Sequence, residues 1–174
     1  MRVLITGGAG FIAYHLAAEL IRRGVGISLL DNFNDFYSPE IKHRNVRDLE
    51  SIGSAPVHAV DILDREQLRR VFEQTRPEAV VHLAAWAGVR PSLEKPGLYA
   101  SVNVTGTVNV LEMAKEFSVG CFIFGSSSSV YGGSTRVPFA EDDPVDRPVS
   151  PYAATKRAGE LLCHTYAFNF SMHI

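Results

Sequence analysis

Tyr152 and Lys156 stand four residues apart in "YAATK". On a helix that spacing puts both side chains on one face. A free phenol titrates near pH ~10, too high for a base near neutrality. A neighbouring ammonium favours the phenolate and lowers that value. So paired, Tyr152 could take a proton from a hydroxyl while hydride leaves the same carbon. Ser127 lies 25 residues upstream, in the serine cluster "GSSSSVYG", 125–132. Its hydroxyl could hold the substrate oxygen and assist the proton transfer. The tyrosine–lysine spacing alone is a weak signal, since surface helices carry it by chance. It gains weight only if the chain also holds a hydride acceptor.

A site for such an acceptor is written near the start. In "LITGGAGFIAYHLA", 4–17, an apolar run meets glycines and then a helical pattern. Gly8-x-Gly10-x-x-Ala13 fits the dinucleotide fingerprint in its Gly/Ala form, with Gly7 adding backbone freedom. The early glycines allow a tight turn and close approach of a pyrophosphate. The helix start that follows offers unpaired N–H groups and a partial positive charge. The third position only lets helix pack on strand, and Ala13 adds one methyl there. Asp31 ends the next apolar run, 21 residues after Gly10. A carboxylate at that distance accepts hydrogen bonds from the adenosine ribose hydroxyls. It would repel a 2′-phosphate, and no Arg or Lys follows it until Lys42, so NAD is favoured over NADP.

The candidate cofactor contacts follow the strand ends. They are Gly7, Gly10, Phe11 and Ile12 at the turn, and Asp31 and Asn32 after the second strand. Asp61 and Ile62 follow the third strand, and Leu83, Ala84 and Ala85 the fourth. Tyr152 and Lys156 close the set at the chemical end. Asp61 could instead be a helix-entry residue, and Ala84 and Ala85 simple packing.

The elements that must position these groups alternate in type. Nearly continuous apolar runs at Val3–Thr6, Gly26–Asp31, Pro56–Asp61, Ala79–Leu83 and Gly120–Phe124 predict strands covered on both faces. Helical patterns at 11–23, 39–52, 64–75, 94–117 and 151–168 separate them. The expected fold class is α/β, a doubly wound parallel sheet with its ligand at the carboxyl ends of the strands. Asp64 with Gln67 resembles a capping box, Pro77 follows a helix end, and Pro96 and Pro151 suit first helical turns. The segments 32–40 and 132–150 are long and irregular, as functional loops often are. The last stretch, "NFSMHI", reads as the start of another strand, so the chain is expected to be the front part of a longer sheet.

Composition excludes other classes. Of 174 residues, 46% are apolar and 21% charged, and the net charge is -2. That balance gives no basic surface for nucleic acid and no acidic tail. No apolar run reaches the roughly 18 residues of a membrane span. A strand pattern begins at once, so no signal peptide is expected. The two cysteines, Cys121 and Cys163, belong to no CxxC or Cys/His cluster, which fits a reduced, cytoplasmic chain. The six histidines show no metal-ligand spacing, so no metal is expected. Trp86 suits either a pocket wall or a loop, and Phe122 and Phe124 read as core.

Together these residues resemble the extended short-chain dehydrogenase/reductases, specifically the NAD-dependent nucleotide-sugar epimerases. The stretches that carry the resemblance are "TGGAGFI", "DNFNDFY", "HLAAWAGVR", "NVTGTVNVLE", "SSSSVYG" and "SPYAATKRAGE". "DNFNDFYSPEIKHRN" and "HLAAWAGVRPSLEKP" look most like UDP-glucuronate 4-epimerases. The resemblance implies a Rossmann domain, tightly held NAD, and a catalytic set of Ser127, Tyr152 and Lys156. It implies C4 epimerisation of a UDP-sugar through a transient 4-keto sugar, with hydride passing to NAD and returning to the other face. Related 4,6-dehydratases carry Asp-Glu after the hydroxyl residue, and sugar-acid decarboxylases a Glu nearby. Ser128 and Ser129 stand there in this chain, which favours plain epimerisation.

The resemblance also places Asn103, in "SVNVTG", as a cofactor contact that orders the catalytic end of the pocket, with a helix-packing amide as the alternative. Arg90 and Ser92 follow the fourth strand and are expected near the sugar, with Arg90 suited to a substrate carboxylate or else a plain surface arginine. Ser127 and Ser128 complete the substrate-side set. A homodimer through helices 94–117 and 151–168 is implied as well. Family members are about twice as long, so residues 1–174 are expected to be the cofactor domain without the substrate-binding part. Such a chain should bind NAD and turn over sugar nucleotide poorly. Two other readings stay open: a non-catalytic NAD-binding module, and a reductase or dehydratase of the same family.

Overall fold

The computed structural model describes residues 1–174. Its five apolar runs pair as strands: β1 Arg2–Thr6, β2 Gly26–Asp31, β3 Val57–Ala59, β4 Ala79–His82 and β5 Cys121–Phe124. The strand order is β3-β2-β1-β4-β5, and every pair is parallel. Parallel neighbours need crossovers, and helices supply them. The first three are α1 Phe11–Arg22, α2 Pro39–Ile52 and α3 Arg65–Thr75. After β4 come two short helices, α4 Val89–Glu94 and α5 Pro96–Tyr99, then a wide π-helical segment, Ala100–Gly106, and α6 Thr107–Glu116. The last helix is α7, Pro151–Phe170. This is the expected Rossmann arrangement, with the chain crossing from one side of β1 to the other between β3 and β4.

Both faces of the sheet are covered, which is why its strands lack polar alternation. Ala13, Ala17 and Ala18 of α1 and Leu49 of α2 pack with Val3, Ile5 and Leu29 on one face. Leu68 and Phe72 of α3, Leu111 of α6 and Cys163 of α7 pack with Leu4, Val80 and Phe122 on the other. Phe122 is core as expected, and Phe124 packs partly buried against the same cluster. Ala13 is almost fully buried, so a small side chain is what the helix–strand contact uses.

Caps set several boundaries. Asp64 accepts from the Gln67 N–H at 3.0 Å, while the Gln67 side chain returns to the Asp64 carboxylate at 2.6 Å instead of to its backbone. Ser150 accepts from the Ala153 N–H at 3.1 Å, and Pro151 and Pro96 occupy first turns. The predicted helix 94–117 is present from Pro96 to Glu116, its one correction being the π-wide stretch inside it. Pro96 cannot continue the turn of α4 before it, and the backbone then widens over Ala100–Gly106 before α6 begins. The expected strand at "NFSMHI" is corrected too. Asn169 and Phe170 finish α7, and Ser171 ends it with φ +53°. Of the residues beyond, His173 accepts the Phe122 N–H at 2.8 Å, one bond along β5 and no more.

The two irregular segments are tied down. In 32–40, Asx turns close from Asp31 to the Phe33 N–H, from Asn32 to the Asn34 N–H and from Asn34 to the Phe36 N–H. In 132–150, Arg136 pairs with Asp143 at 2.6 Å and Phe139 stacks on Tyr131. No helix is long and apolar enough to cross a membrane.

Candidate functional site

One cleft of about 380 Å³ runs along the carboxyl ends of β1, β2 and β4 and reaches α7. Its first wall is the turn from β1 to α1. Gly7 holds φ +66°, and a Cβ there would lie 2.8 Å from the Ala84 nitrogen. Backbone from two strands therefore meets where no side chain fits. Gly8 faces the other way: a Cβ on it would strike Leu29 at 2.7 Å. Gly7 and Gly10 line the cleft, so the fingerprint's first cleft-facing glycine is Gly7 and not Gly8. Phe11 and Ile12 begin α1 there, and no side chain caps that helix start. The Tyr37 hydroxyl is buried without a hydrogen-bond partner, 3.8 Å from where a Cβ on Gly10 would stand. Burial pushes its pKa up, with Asp31 adding to the effect. A helix start and an unpaired buried donor together suit an acceptor-rich group such as a diphosphate.

Asp31 and Asn32 line the next stretch, with Asp61 and Ile62 opposite. Asp31 is 6% exposed and accepts from the Ala9 N–H at 3.2 Å and the Phe33 N–H at 2.8 Å. Its surroundings correct the charge argument drawn from sequence spacing. Lys42, on the first turn of α2, folds back to 3.4 Å from the carboxylate and is itself 4% exposed. This wall of the cleft is thus an ion pair and not an isolated anion. Asp61 holds Asn32 at 2.8 Å and starts the turn before α3. Helix entry belongs to Asp64, so Asp61 is free to serve the cleft.

Leu83, Ala84 and Ala85 form the floor. Beneath them runs a chain of hydrogen bonds with a fixed direction. Thr107 donates to the Asn103 carbonyl at 2.6 Å, so its oxygen can only accept from His82 Nε2–H, 3.0 Å away. His82 Nδ1 then carries no hydrogen and accepts from Thr6 at 2.6 Å. The Thr6 oxygen accepts from the Ala84 N–H at 3.2 Å. The network assigns one neutral tautomer to His82. Burial, with a smaller push from Lys156, lowers the His82 pKa to about 3, in keeping with that neutral form.

Asn103 is where the structure overturns an expected cofactor contact. It is buried, and its amide takes the Trp86 N–H at 2.8 Å while donating to the Trp86 carbonyl at 2.9 Å and to Thr155 at 3.1 Å. Both donors and the acceptor are spent, and Asn103 does not line the cleft. It ties the loop after β4 to α7 and so acts on the cleft through its neighbours. The wide π turn carries this amide, as such turns often do at functional sites.

The chemical end is formed by Tyr152 and Lys156 on the first two turns of α7, with Gly125 and Ser126 after β5. Lys156 is 5% exposed and donates to the Gly125 carbonyl at 2.7 Å. Burial lowers its pKa to about 8, and Glu160 one turn on works in the opposite direction. Tyr99 packs edge-on against the Tyr152 ring and fixes its plane. Ser127 starts the short 3₁₀ turn Ser128–Tyr131. Its oxygen accepts from the Ser129 N–H and donates to the Ser129 hydroxyl, both at 3.2 Å.

Other expected contacts fall outside the cleft. Ser127, Ser128 and Arg90 do not line it, and Arg90 is exposed on α4 without an ionic partner. Ser92 is fully buried and donates to the Val89 carbonyl at 2.5 Å, which removes it from any sugar contact. Trp86 is not a pocket wall either; its backbone is held by Asn103 and its ring meets Phe36 edge-on. Sequence reasoning passed over Tyr37, Lys42, Ser126 and Ala87, all of which line the cleft. Their signal was proximity to an expected loop or strand end. No three metal-ligating side chains gather anywhere.

Residues 3–174 match the model of the NAD dependent epimerase/dehydratase family. UDP-glucuronate 4-epimerase 4 of Arabidopsis thaliana is 48% identical over 94% of this chain and 38% of its own length. UDP-glucuronate 4-epimerase of Thermodesulfobacterium geofontis is 42% identical over 98% of this chain and 53% of its own length. The crystal structure of a Bacillus cereus UDP-glucuronic acid 4-epimerase with UDP-glucuronic acid and NAD superimposes with a TM-score of 0.89. It is 35% identical over 99% of this chain and 54% of that one. The chain thus spans about half the length of these relatives or less.

Proposed function

This chain belongs to the NAD-dependent epimerase/dehydratase family, and we propose that it provides the NAD-holding, proton-transferring part of a UDP-sugar 4-epimerase whose substrate is UDP-glucuronate. The observation that carries this reading is the single cleft joining the glycine turn to Tyr152 and Lys156. Gly7, Gly10, the start of α1 and the Tyr37 hydroxyl would hold the diphosphate. Asp31 would hold the adenosine ribose, with Asp61 and Ile62 beside the adenine. Bound NAD supplies a hydride acceptor that can also return the hydride.

The protein's own part is proton movement and placement. Tyr152 Oη takes the proton of the sugar 4-hydroxyl and later gives it back. The Lys156 ammonium favours the phenolate in that step. Its hold on the Gly125 carbonyl keeps the charge beside the tyrosine face of α7. Burial leaves Lys156 a weaker base than a surface lysine, so it gives up its proton more readily than an exposed ammonium would. Ser127 would bridge to the same oxygen after turning from Ser129, with Ser128 beside it. Arg90, exposed and unpaired, is available to the substrate carboxylate.

Incubation with UDP-glucuronate, read by NMR for the 4-epimer, tests the reading. The epimer should form slowly without NADH accumulating. Accumulating NADH would instead mark an oxidoreductase of the same family, and NAD binding with no conversion a binding module. Pairing of two copies through the helices near 94–117 and α7 is part of the proposal, supported by Leu161 standing exposed on α7. Light scattering that shows only monomer would remove it. Free Cys121 and Cys163 fit a cytoplasmic setting.

A further inference from the structure

We infer that Lys42 makes the ribose end of this cleft a latent 2′-phosphate site, which Asp31 alone keeps closed. The inference rests on the reading that the cleft holds a nicotinamide dinucleotide with its adenosine ribose at Asp31. It adds a specificity-determining residue and a second cofactor class.

Lys42 is placed as few lysines are. It is 4% exposed yet lines the cleft. Its ammonium lies 3.4 Å from Asp31 Oδ1, 3.1 Å from Asn34 Oδ1 and 5.2 Å from the centre of the Tyr37 ring. The first two contacts spend two of three N–H donors. Asn34 is fixed in turn by accepting the Phe36 N–H. The cation is therefore held by a neutral amide and a ring as well as by the carboxylate, and it keeps its place without Asp31.

With the pair intact, the ribose wall is close to neutral. A carboxylate offers about four lone-pair sites; the Ala9 and Phe33 N–H groups and Lys42 take three, so Asp31 keeps about one for a hydroxyl at the 2′ position. A ribose hydroxyl suits it. A 2′-phosphate, carrying about −1.5 to −2 charges, does not. A serine in place of Asp31 removes that repulsion. It also releases a desolvated ammonium whose nearest anion has gone. Acceptance of a 2′-phosphate ordinarily needs an arginine at the end of β2 or close by. Here a basic group is already present, brought from α2 by the fold.

The test is fluorescence titration of the purified chain with NADH and with NADPH. Wild type should bind NADH and prefer it. Binding of neither nucleotide would sink the dinucleotide reading itself, separately from this inference. In Asp31→Ser the affinity ratio should move toward NADPH by about a hundredfold, a modest part of what one charge a few ångströms away can do. The gain should shrink as salt is added. Asp31→Ser with Lys42→Met should lose it. A double variant that keeps the NADPH gain overturns the inference, since another group would then hold the phosphate. So does a folded Asp31→Ser, checked by circular dichroism, that gains no NADPH preference. If Asp31→Ser does not fold, Lys42→Met alone decides. It should weaken NADPH at least about tenfold more than NADH, and equal weakening of the two overturns the inference.

Discussion

The two ends of the cleft are built on opposite plans. At the end proposed for adenosine most polar groups are already paired: Asp31 holds two backbone N–H groups and Lys42, and Asn32 is held by Asp61. At the other end the Tyr152 hydroxyl, proposed as the proton acceptor, has no partner among the protein's hydrogen bonds, and burial lowers the pKa of Lys156 beside it. The first end is nearly complete in the protein alone. The second leaves a hydroxyl open, as the proposed proton transfer would need. Recognition here rests on backbone and paired charge, while chemistry rests on a few side chains whose energies are out of balance.

The sharpest break of that contrast is at Tyr152. Tyr152→Phe should lower epimer formation by about a thousandfold, within the usual range for a lost acid–base group, and leave NADH affinity within a few-fold. Paired NMR rates and NADH titrations check this, and a large fall in NADH binding would show that the ends are not separable. Gly7→Val should do the reverse. A side chain at φ +66°, pressed on Ala84, should weaken NADH by about ten- to a hundredfold through strain of about 1–3 kcal/mol. Turnover at saturating NAD should hardly move.

Much of this division could be read before the structure. Gly10, Asp31, Tyr152 and Lys156 announce themselves because each sits at a strand or helix boundary set by local hydrophobic period. Lys42 did not, because its importance comes from the return of α2 over β2, a tertiary fact with no trace in spacing. Asn103 was expected to order the pocket's catalytic end; it holds Trp86 and Thr155, but does not line the cleft. Sequence can show a polar residue facing inward, but only packing shows that Trp86 and Thr155 use up its amide. The helix start at Pro96 was legible as a first-turn proline, and the helical period after it runs on to Glu116. The π turn that follows leaves the apolar pattern almost unchanged.

Stability against pH sharpens the comparison further. Lys156 titrates near 8 when folded, against an ordinary 10.5, so between those values the unfolded chain binds the extra proton. Stability from this residue should therefore rise with pH across that window, by on the order of 3 kcal/mol at most, and Lys156→Met should flatten the rise. His82 behaves alike at the acid side. Its contribution is complete above pH 6.5 and is lost as pH falls toward 3, where the folded imidazole would have to charge. Denaturant unfolding at a series of pH values reads both slopes. The smallest effect belongs to Ala13. Ala13→Gly should change NADH affinity by less than about tenfold, or 1.4 kcal/mol. A larger gain in the same titration would show that the buried methyl does disturb the turn.

The one-way chain from the Ala84 N–H through Thr6, His82 and Thr107 to Asn103 also bears on inheritance. Each member donates to the next, so no single one can lose its hydroxyl or ring nitrogen without stranding a buried neighbour. Thr107→Val would orphan the Nε2–H of His82, and Thr6→Val would orphan both the Ala84 amide and Nδ1. Thr6, His82 and Thr107 lie on three different elements and are far apart in the chain, yet they form one unit of variation. In related chains they should be kept together or exchanged together, as a covarying triplet that carries no catalytic atom.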